Sequence, residues 1–412
     1  GPYDIDDLDL SGYNLLISAL TNDNGEVVLG NNATDNSNNF IIRIHDTDNV
    51  VIDNLDFAPT GTYARSIVVV GDSNDLLFQN NRFFNFGSSS NNNESLYFQC
   101  EGSNDADDVQ IRLNQFFNGG YHIKINASNS TALFSDWDIY ANLHQGGYYG
   151  VYLKQVHNLS YNNNQMHDAN VGFGASSLSG SLDVSKNRIH AWAKGMAFVG
   201  CDPVDPGSTP NVYNNMITVS GYNWYGGYGS VEAYGLVLNQ CEDIYAAHNS
   251  VELSSADNRS VACYLGGSGN TLRQNMLINT ATGYALSFSN VDQSNSDPNT
   301  VEYNNIYSRG SYLGKQLNTS YLDIDQMNAL FGFNNLDYNP HFTDADLHTS
   351  APRLDNSGPY VQIAEDIAGT PRSTTTPDPG CWEFSSDPGM TRLAGGTYNI
   401  GQGEDFETIS DF

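Results

Sequence analysis

Residues 185–190 read SKNRIH, and an asparagine in the same short apolar phrase returns along most of the chain. The series is IDNLDF (52–57), QNNRFF (79–84), RLNQFF (112–117), YANLH (140–144), NNNQMH (162–167), SKNRIH, YNNMIT (213–218), AHNSVE (247–252), RQNMLI (273–278) and YNNIYS (303–308). The repeating residues are Asn54, Asn81, Asn114, Asn142, Asn164, Asn187, Asn215, Asn249, Asn275 and Asn305, with gaps of 22 to 34 residues. A loose period of that length without a strict consensus marks a solenoid of stacked coils.

Between these phrases lie Gly-led runs of alternating apolar residues: GGYHIKIN (119–126), GGYYGVYLKQV (146–156), KGMAFVGC (194–201), YGLVLNQC (234–241) and GYALSFSN (283–290). Period-two runs with β-branched and aromatic members read as strands with one buried face. The asparagine phrases supply further short strands, and no helical stretch long enough for a βαβ crossover fits between them. The fold class is therefore all-β: a right-handed parallel β-helix of about ten to twelve coils, followed by an irregular C-terminal tail. The asparagines are expected at sharp bends, where Asn tolerates left-handed backbone, with their amides bonded from coil to coil as a ladder.

The chain has 412 residues and a formal net charge of −31, with only 16 Lys and Arg. That balance opposes nucleic acid and anionic membranes as partners, because phosphate contact needs clustered cations. No apolar run is long enough to span a bilayer, and the first residues do not read as a signal peptide. The acidity suits a secreted or surface-attached protein in a divalent-rich medium. Of five cysteines, Cys201 and Cys241 each lie six residues after the Gly of a Gly-x-apolar strand. They should occupy one position of neighbouring coils, either as a disulfide or as two buried thiols.

Three regions emerge. Residues 1–310 read as β-helix coils, beginning with LLIS (15–18), VVL (27–29) and FIIRI (40–44). Residues 311–384 form the last coils, a helical turn around 321–330, and a Pro-rich tail packed along the body. Residues 385–412 read as a linker, then the strand and truncated capping helix of a following module, GGTYNIGQGEDFETISDF.

The tail also carries a resemblance. HFTDADLHTSAPRLDNSG and DIAGTPRSTTTPDPGCWEF resemble the ending of secreted right-handed parallel β-helix proteins of Bacteroidetes-type bacteria, within the pectate-lyase-like superfamily. The matching residues are Leu347, Ser350, Pro352, Leu354, Asp355, Gly358, Asp366, Ile367, Gly369, Pro371, Arg372, Pro377, Asp378, Gly380, Glu383 and Phe384. Pro379, Cys381 and Trp382 depart from that pattern. The final segment resembles the opening of another such module, and Gly1-Pro2-Tyr3-Asp4-Ile5 looks like its continuation. The resemblance implies one unit of a tandem array or an end-to-end filament, with copies of itself or adjacent modules as partners.

Such β-helices include polysaccharide lyases, polygalacturonases and adhesins, so activity must come from particular residues. The polygalacturonase phrases NTD, GHG and RIK are missing, as is a paired-Arg motif of the pectate lyase type. A lyase base and neutraliser are sought in His144, His167 and His190, spaced by 23 residues, and in Lys124 and Lys154 at matched places in YHIK and VYLK. Tyr148, Tyr149, Tyr152 and Asp168 lie close to them in sequence. An aromatic loop with Tyr222, Trp224, Tyr225, Tyr228 and Tyr234 offers rings for stacking on sugars. No cofactor is implied, although acidic clusters at Asp4-Ile5-Asp6-Asp7, Asp46-Thr47-Asp48 and Asp344-Ala345-Asp346 could hold structural Ca²⁺. The leading expectation is a structural or adhesive extracellular module. The alternatives are a polysaccharide lyase or related enzyme acting on an acidic polysaccharide, and a glycan-binding module without turnover.

Overall fold

In a computed structural model the described residues are 3–386, apart from 7–12, 20–26, 36–38, 62, 64, 87–92, 102–104, 128–132, 205–208, 223–229, 290–296 and 332–333. Nearly every ladder between strands is parallel, each strand pairing with its counterpart one coil away. The result is a right-handed parallel β-helix whose coils each present three faces.

One coil shows the plan. Val156–Asn162 forms the first face; the backbone then turns through a left-handed residue, Asn163, and reaches Asn164. Gln165–Ser176 follows as one long strand that bends at Asp168, so that its first part lies on the second face and its remainder on the third. Ser177, also left-handed, returns the chain to the first face at Ser179–Ser185. Left-handed residues at the bends, here Asn163, Asp168 and Ser177, let short strands wrap a narrow core without a helix.

The asparagines make the ladder but do not take the left-handed backbone. Asn142 donates its backbone N–H and its Nδ2 to Asn164 Oδ1, both at 3.0 Å, and Nδ2 also reaches Ile111 O at 2.8 Å. Its own Oδ1 accepts the corresponding pair from Asn114. The pattern repeats through Asn81, Asn114, Asn142, Asn164, Asn187, Asn215, Asn249 and Asn275. Both amide protons and the carbonyl are thus satisfied in a buried column, where an unpaired amide would cost about 1–3 kcal/mol. The left-handed residue is the one before each rung, and its identity varies: Leu113, Ala141, Lys186, His248 and Gln274 all serve.

The ladder's ends are shifted by one residue from the expectation. Asn54 is a left-handed corner, and Leu55 stands in its rung position, its N–H held by Asn81 Oδ1. Asn275 bonds to Asn304, not Asn305, because Tyr303 takes the corner. Asn305 instead bonds the tail at Tyr338. Asn335 forms one more rung, which the sequence reading missed.

Two residues beyond each rung an apolar side chain points inward. Phe57, Phe83 and Phe116 stack with ring centroids 4.9 and 4.8 Å apart, close to the strand spacing. The column continues through His144, Met166, Ile189, Ile217, Val251, Leu277 and Ile306. These residues, with the inward rows of the other two faces, form one core along the body.

The last coil is closed by α1 (Ile324–Phe331), whose Met327 and Phe331 are buried in the core. Strands Tyr3–Asp6, Leu15–Ser18 and Val28–Leu29 in the first coil pair on one side only among the described residues. The tail from Asn334 to Ser386 packs on the outside of the coils carrying Asn215, Asn249, Asn275 and Asn304. Buried Arg372 anchors it, donating to Asn214 Oδ1 and Gly380 O at 2.8 Å and pairing with Glu383 at 3.2 Å. Left-handed Gly380 packs where a Cβ would lie 2.6 Å from Ser250 Oγ, so a side chain there would strain the backbone and force the contact to shift.

Candidate functional site

The proposed histidine column does not form. His144 pairs in register with Met166, whereas His167 pairs with Gln145. The coil from Asn142 to Asn164 is 22 residues long, so a 23-residue spacing moves the side chain to the opposite face. His144 is fully buried against Phe116, its Nδ1 3.2 Å from Nδ1 of equally buried His122. Burial holds both imidazoles far below their usual range, His122 at about 3, so they pack as neutral rings. His167 and His190 do face outward, each three residues after its rung.

The lysines are also out of step. Lys124 is in register with Tyr152, and Lys154 with Ser176. Lys154 Nζ donates to Ala127 O at 2.9 Å. Lys124 is drawn into a cluster on the third face around fully buried Glu94, whose carboxylate takes Lys124 at 2.9 Å and Arg65 at 2.7 Å. Both cations also lie over rings: Arg65 over Tyr97 at 4.3 Å and Lys124 over Tyr121 at 4.4 Å. Tyr121 stacks on Tyr149 of the next coil at 4.9 Å, and burial raises both phenols above their ordinary range. They stay protonated and are poor candidates for a base. The cluster holds the sheet face together through charge pairing and cation–π contact.

A different group of residues meets at the bend between the second and third faces. The register shifts on either side of Ala169, and left-handed Asp168 lies within the first of these shifts as a bulge. The bulge swings its carboxylate to 3.0 Å from His190 Nδ1, and Trp192 Nε1 donates to it at 3.4 Å. Tyr222, more than half exposed, sets its ring 5.3 Å from that of Trp192 at 65°. A carboxylate, an imidazole and two angled aromatic faces thus share one solvent-facing edge on rigid coils. Trp192 escaped the sequence reading; its signal was its place two residues beyond His190. Of the aromatic loop, Trp224, Tyr225 and Tyr228 lie outside the described residues. Tyr234 pairs with Lys194 and Val261, its hydroxyl held by Glu232.

Cys201 and Cys241 do occupy one position of adjacent coils, as two free buried thiols that donate to Val199 O and Asn239 O respectively. The described residues of all three acidic clusters are engaged with cations or backbone. Asp4 and Asp6 meet Arg43 and His45, and Asp344 and Asp346 meet His348 and Arg188. Asp46 and Asp48 accept the N–H groups of Asp72 and Asn74. Among the described residues, no three His, Cys, Asp or Glu side chains gather round one point as a metal site would require. Among them, too, no helix is long and apolar enough to cross a membrane.

Residues 40–217 match a family model described as the right handed beta helix region. No curated protein matches the chain by sequence. Among solved structures, a double mutant of the periplasmic alginate epimerase AlgG is similar at 12% identity and a TM-score of 0.49, over 77% of this chain and 72% of that one. PfbA, a surface adhesin of Streptococcus pneumoniae, is similar at 13% identity and a TM-score of 0.42, over 68% and 64% respectively. The family match and the parallel coil stack together show a right-handed parallel β-helix.

Proposed function

We propose that this protein is a structural and adhesive β-helix module that acts outside the cell and meets glycans, without turnover, along the Asp168–His190–Trp192–Tyr222 edge. The observation that carries the reading is the angled Trp192–Tyr222 pair beside a hydrogen-bonding carboxylate and imidazole. Ring faces stack on the apolar faces of sugars, while the polar pair bonds hydroxyls. The long hydrogen-bonded ladder supplies the stiffness a spacer or display module needs. Axial extension of the coil stack, by a second copy or an adjacent module, would use the first coil, because α1 covers the last.

A second reading, a polysaccharide lyase or related glycan-degrading enzyme, draws support from the same Asp168–His190 contact. A carboxylate at Nδ1 orients an imidazole and leaves Nε2 facing outward to exchange a proton. One experiment separates the two. Neutral and acidic oligosaccharides are titrated against the protein by calorimetry, and the same mixtures are followed by absorbance for unsaturated product and by NMR for changed sugar configuration. Binding that is lost in Trp192→Ala, with no product over a day, supports the adhesive reading. Product that disappears in His190→Ala would replace it with the enzymatic one.

A further inference from the structure

On the same edge, where the coils carrying Asn249, Asn275 and Asn304 make their bends, lies an open cleft of about 630 Å³. Asp257, Arg259, Thr282, Arg309, Gly310 and Ser311 are among its lining residues. Its two guanidiniums differ. Arg259 is locked by its neighbours: Nε and Nη2 lie on Asp257 at 3.0 and 2.7 Å, and Nη1 lies 3.3 Å from Glu232. Arg309 is exposed, and among the described residues no carboxylate pairs with it. Its backbone N–H is fixed to Asn279 O at 3.0 Å, so the side chain springs from a rigid coil.

Charge scarcity gives this arrangement its weight. In a chain with 16 Lys and Arg and a net charge of −31, cations are mostly spent on local carboxylates. Here one cation is left open above a polar floor. Thr282 donates its hydroxyl to Ala256 O at 3.0 Å, so its oxygen remains an acceptor for a ligand hydroxyl. The Ser311 hydroxyl stands on the same rim. The lining is polar and hydroxylated, so it suits a hydrated, hydroxyl-rich ligand better than an apolar one.

We propose that this cleft binds the oxyanion of an acidic sugar, a carboxylate or a sulfate ester, with Arg309 as the fork that grips it and Arg259 as a fixed second donor. Guanidinium offers two parallel N–H donors, which can meet a pair of oxygens on either oxyanion. The repulsive field of the remaining chain restricts the site to a ligand with few charges rather than a densely charged polymer. Arg259 also ties the cleft to Glu232, at the far end of the segment that begins beside Tyr222. The inference rests on Arg309 and not on the aromatic edge, so either can fail alone.

The test uses three trisaccharides of one linkage, neutral, uronate-bearing and sulfate-bearing, titrated against the whole chain and against Arg309→Gln and Trp192→Ala. The expected result is binding of at least one acidic form about tenfold tighter than the neutral one. Arg309→Gln should remove that preference, and Trp192→Ala should keep it. Which acidic form gains identifies the source of the oxyanion, and raising salt should shrink the gain. Equal binding of all three, or a preference that survives Arg309→Gln, overturns the proposal.

Discussion

Asn328 of α1 offers its side-chain oxygen to Asn335, 3.2 Å from the backbone nitrogen and 2.9 Å from Nδ2. These are the two bonds that every other rung receives from the next coil's asparagine. The helix therefore ends the ladder by imitating the coil that does not follow, and no buried amide is left open at that end.

Replacing Asn328 by Leu should leave the Asn335 amide unpaired and loosen the last coils without unfolding the body. Hydrogen exchange at residues 301–306 is expected to accelerate, while amides near Asn164 keep their protection. In mid-ladder, Asn142→Ala should cost about 3 kcal/mol, since it strands the Asn114 amide and the Ile111 carbonyl. Chemical denaturation reads this directly; a loss under about 1 kcal/mol would mean that water repairs the gap.

Acid should destabilise the protein through its buried histidines. His122, at about 3, and His144 have folded values far below the unfolded 6.5, so as pH falls below about 6.5 the unfolded chain binds the additional protons. Their stabilisation is complete above pH 6.5 and falls by about 1.4 kcal/mol per histidine per pH unit below it. His144→Phe continues the phenylalanine stack and should flatten the decline between pH 6 and pH 4. An unchanged slope in that variant would show that other groups govern acid unfolding.

The tail should respond in the opposite direction. Burial raises the Asp378 carboxyl to about 7, above its unfolded value. A raised carboxyl stabilises the folded form at low pH, and that contribution is lost as pH climbs through about 7. Limited proteolysis within 343–386 should therefore be faster at pH 8.5 than at pH 5.5, and Asp378→Asn should reduce the difference.

Arg372→Met removes the cation from Glu383 and the donor from Asn214, which leaves a partly buried carboxylate uncompensated. Breaking such a pair typically costs about 3–5 kcal/mol. The expected outcome is a detached tail on intact coils. Separate thermal transitions would show it, with strand content by circular dichroism surviving the first.

Much of the coil plan was legible because the rung and the inward apolar residue keep a fixed offset of two. That offset also identifies the true ends. Leu55 precedes Phe57 and Asn304 precedes Ile306, whereas Asn54 and Asn305 lead to Asp56 and Tyr307. Asn tolerates the left-handed corner as well as the rung, so in Asn-Leu and Asn-Asn residue type alone could not choose. The histidines misled for a related reason: their spacing was uniform, but coil length was not, and one residue reverses a side chain between core and solvent.

By itself the sequence determined the architecture, since repeated phrases and alternating strands leave only a stacked solenoid able to bury their apolar faces. The tertiary structure alone decided which polar residues meet. Asp168 reaches His190 through a bulge that no period announces, and Arg309 stays open because neighbouring coils happen to bring it no carboxylate. A repeat specifies contacts along its own columns; the edge depends on insertions, bends and coil lengths that break the repeat.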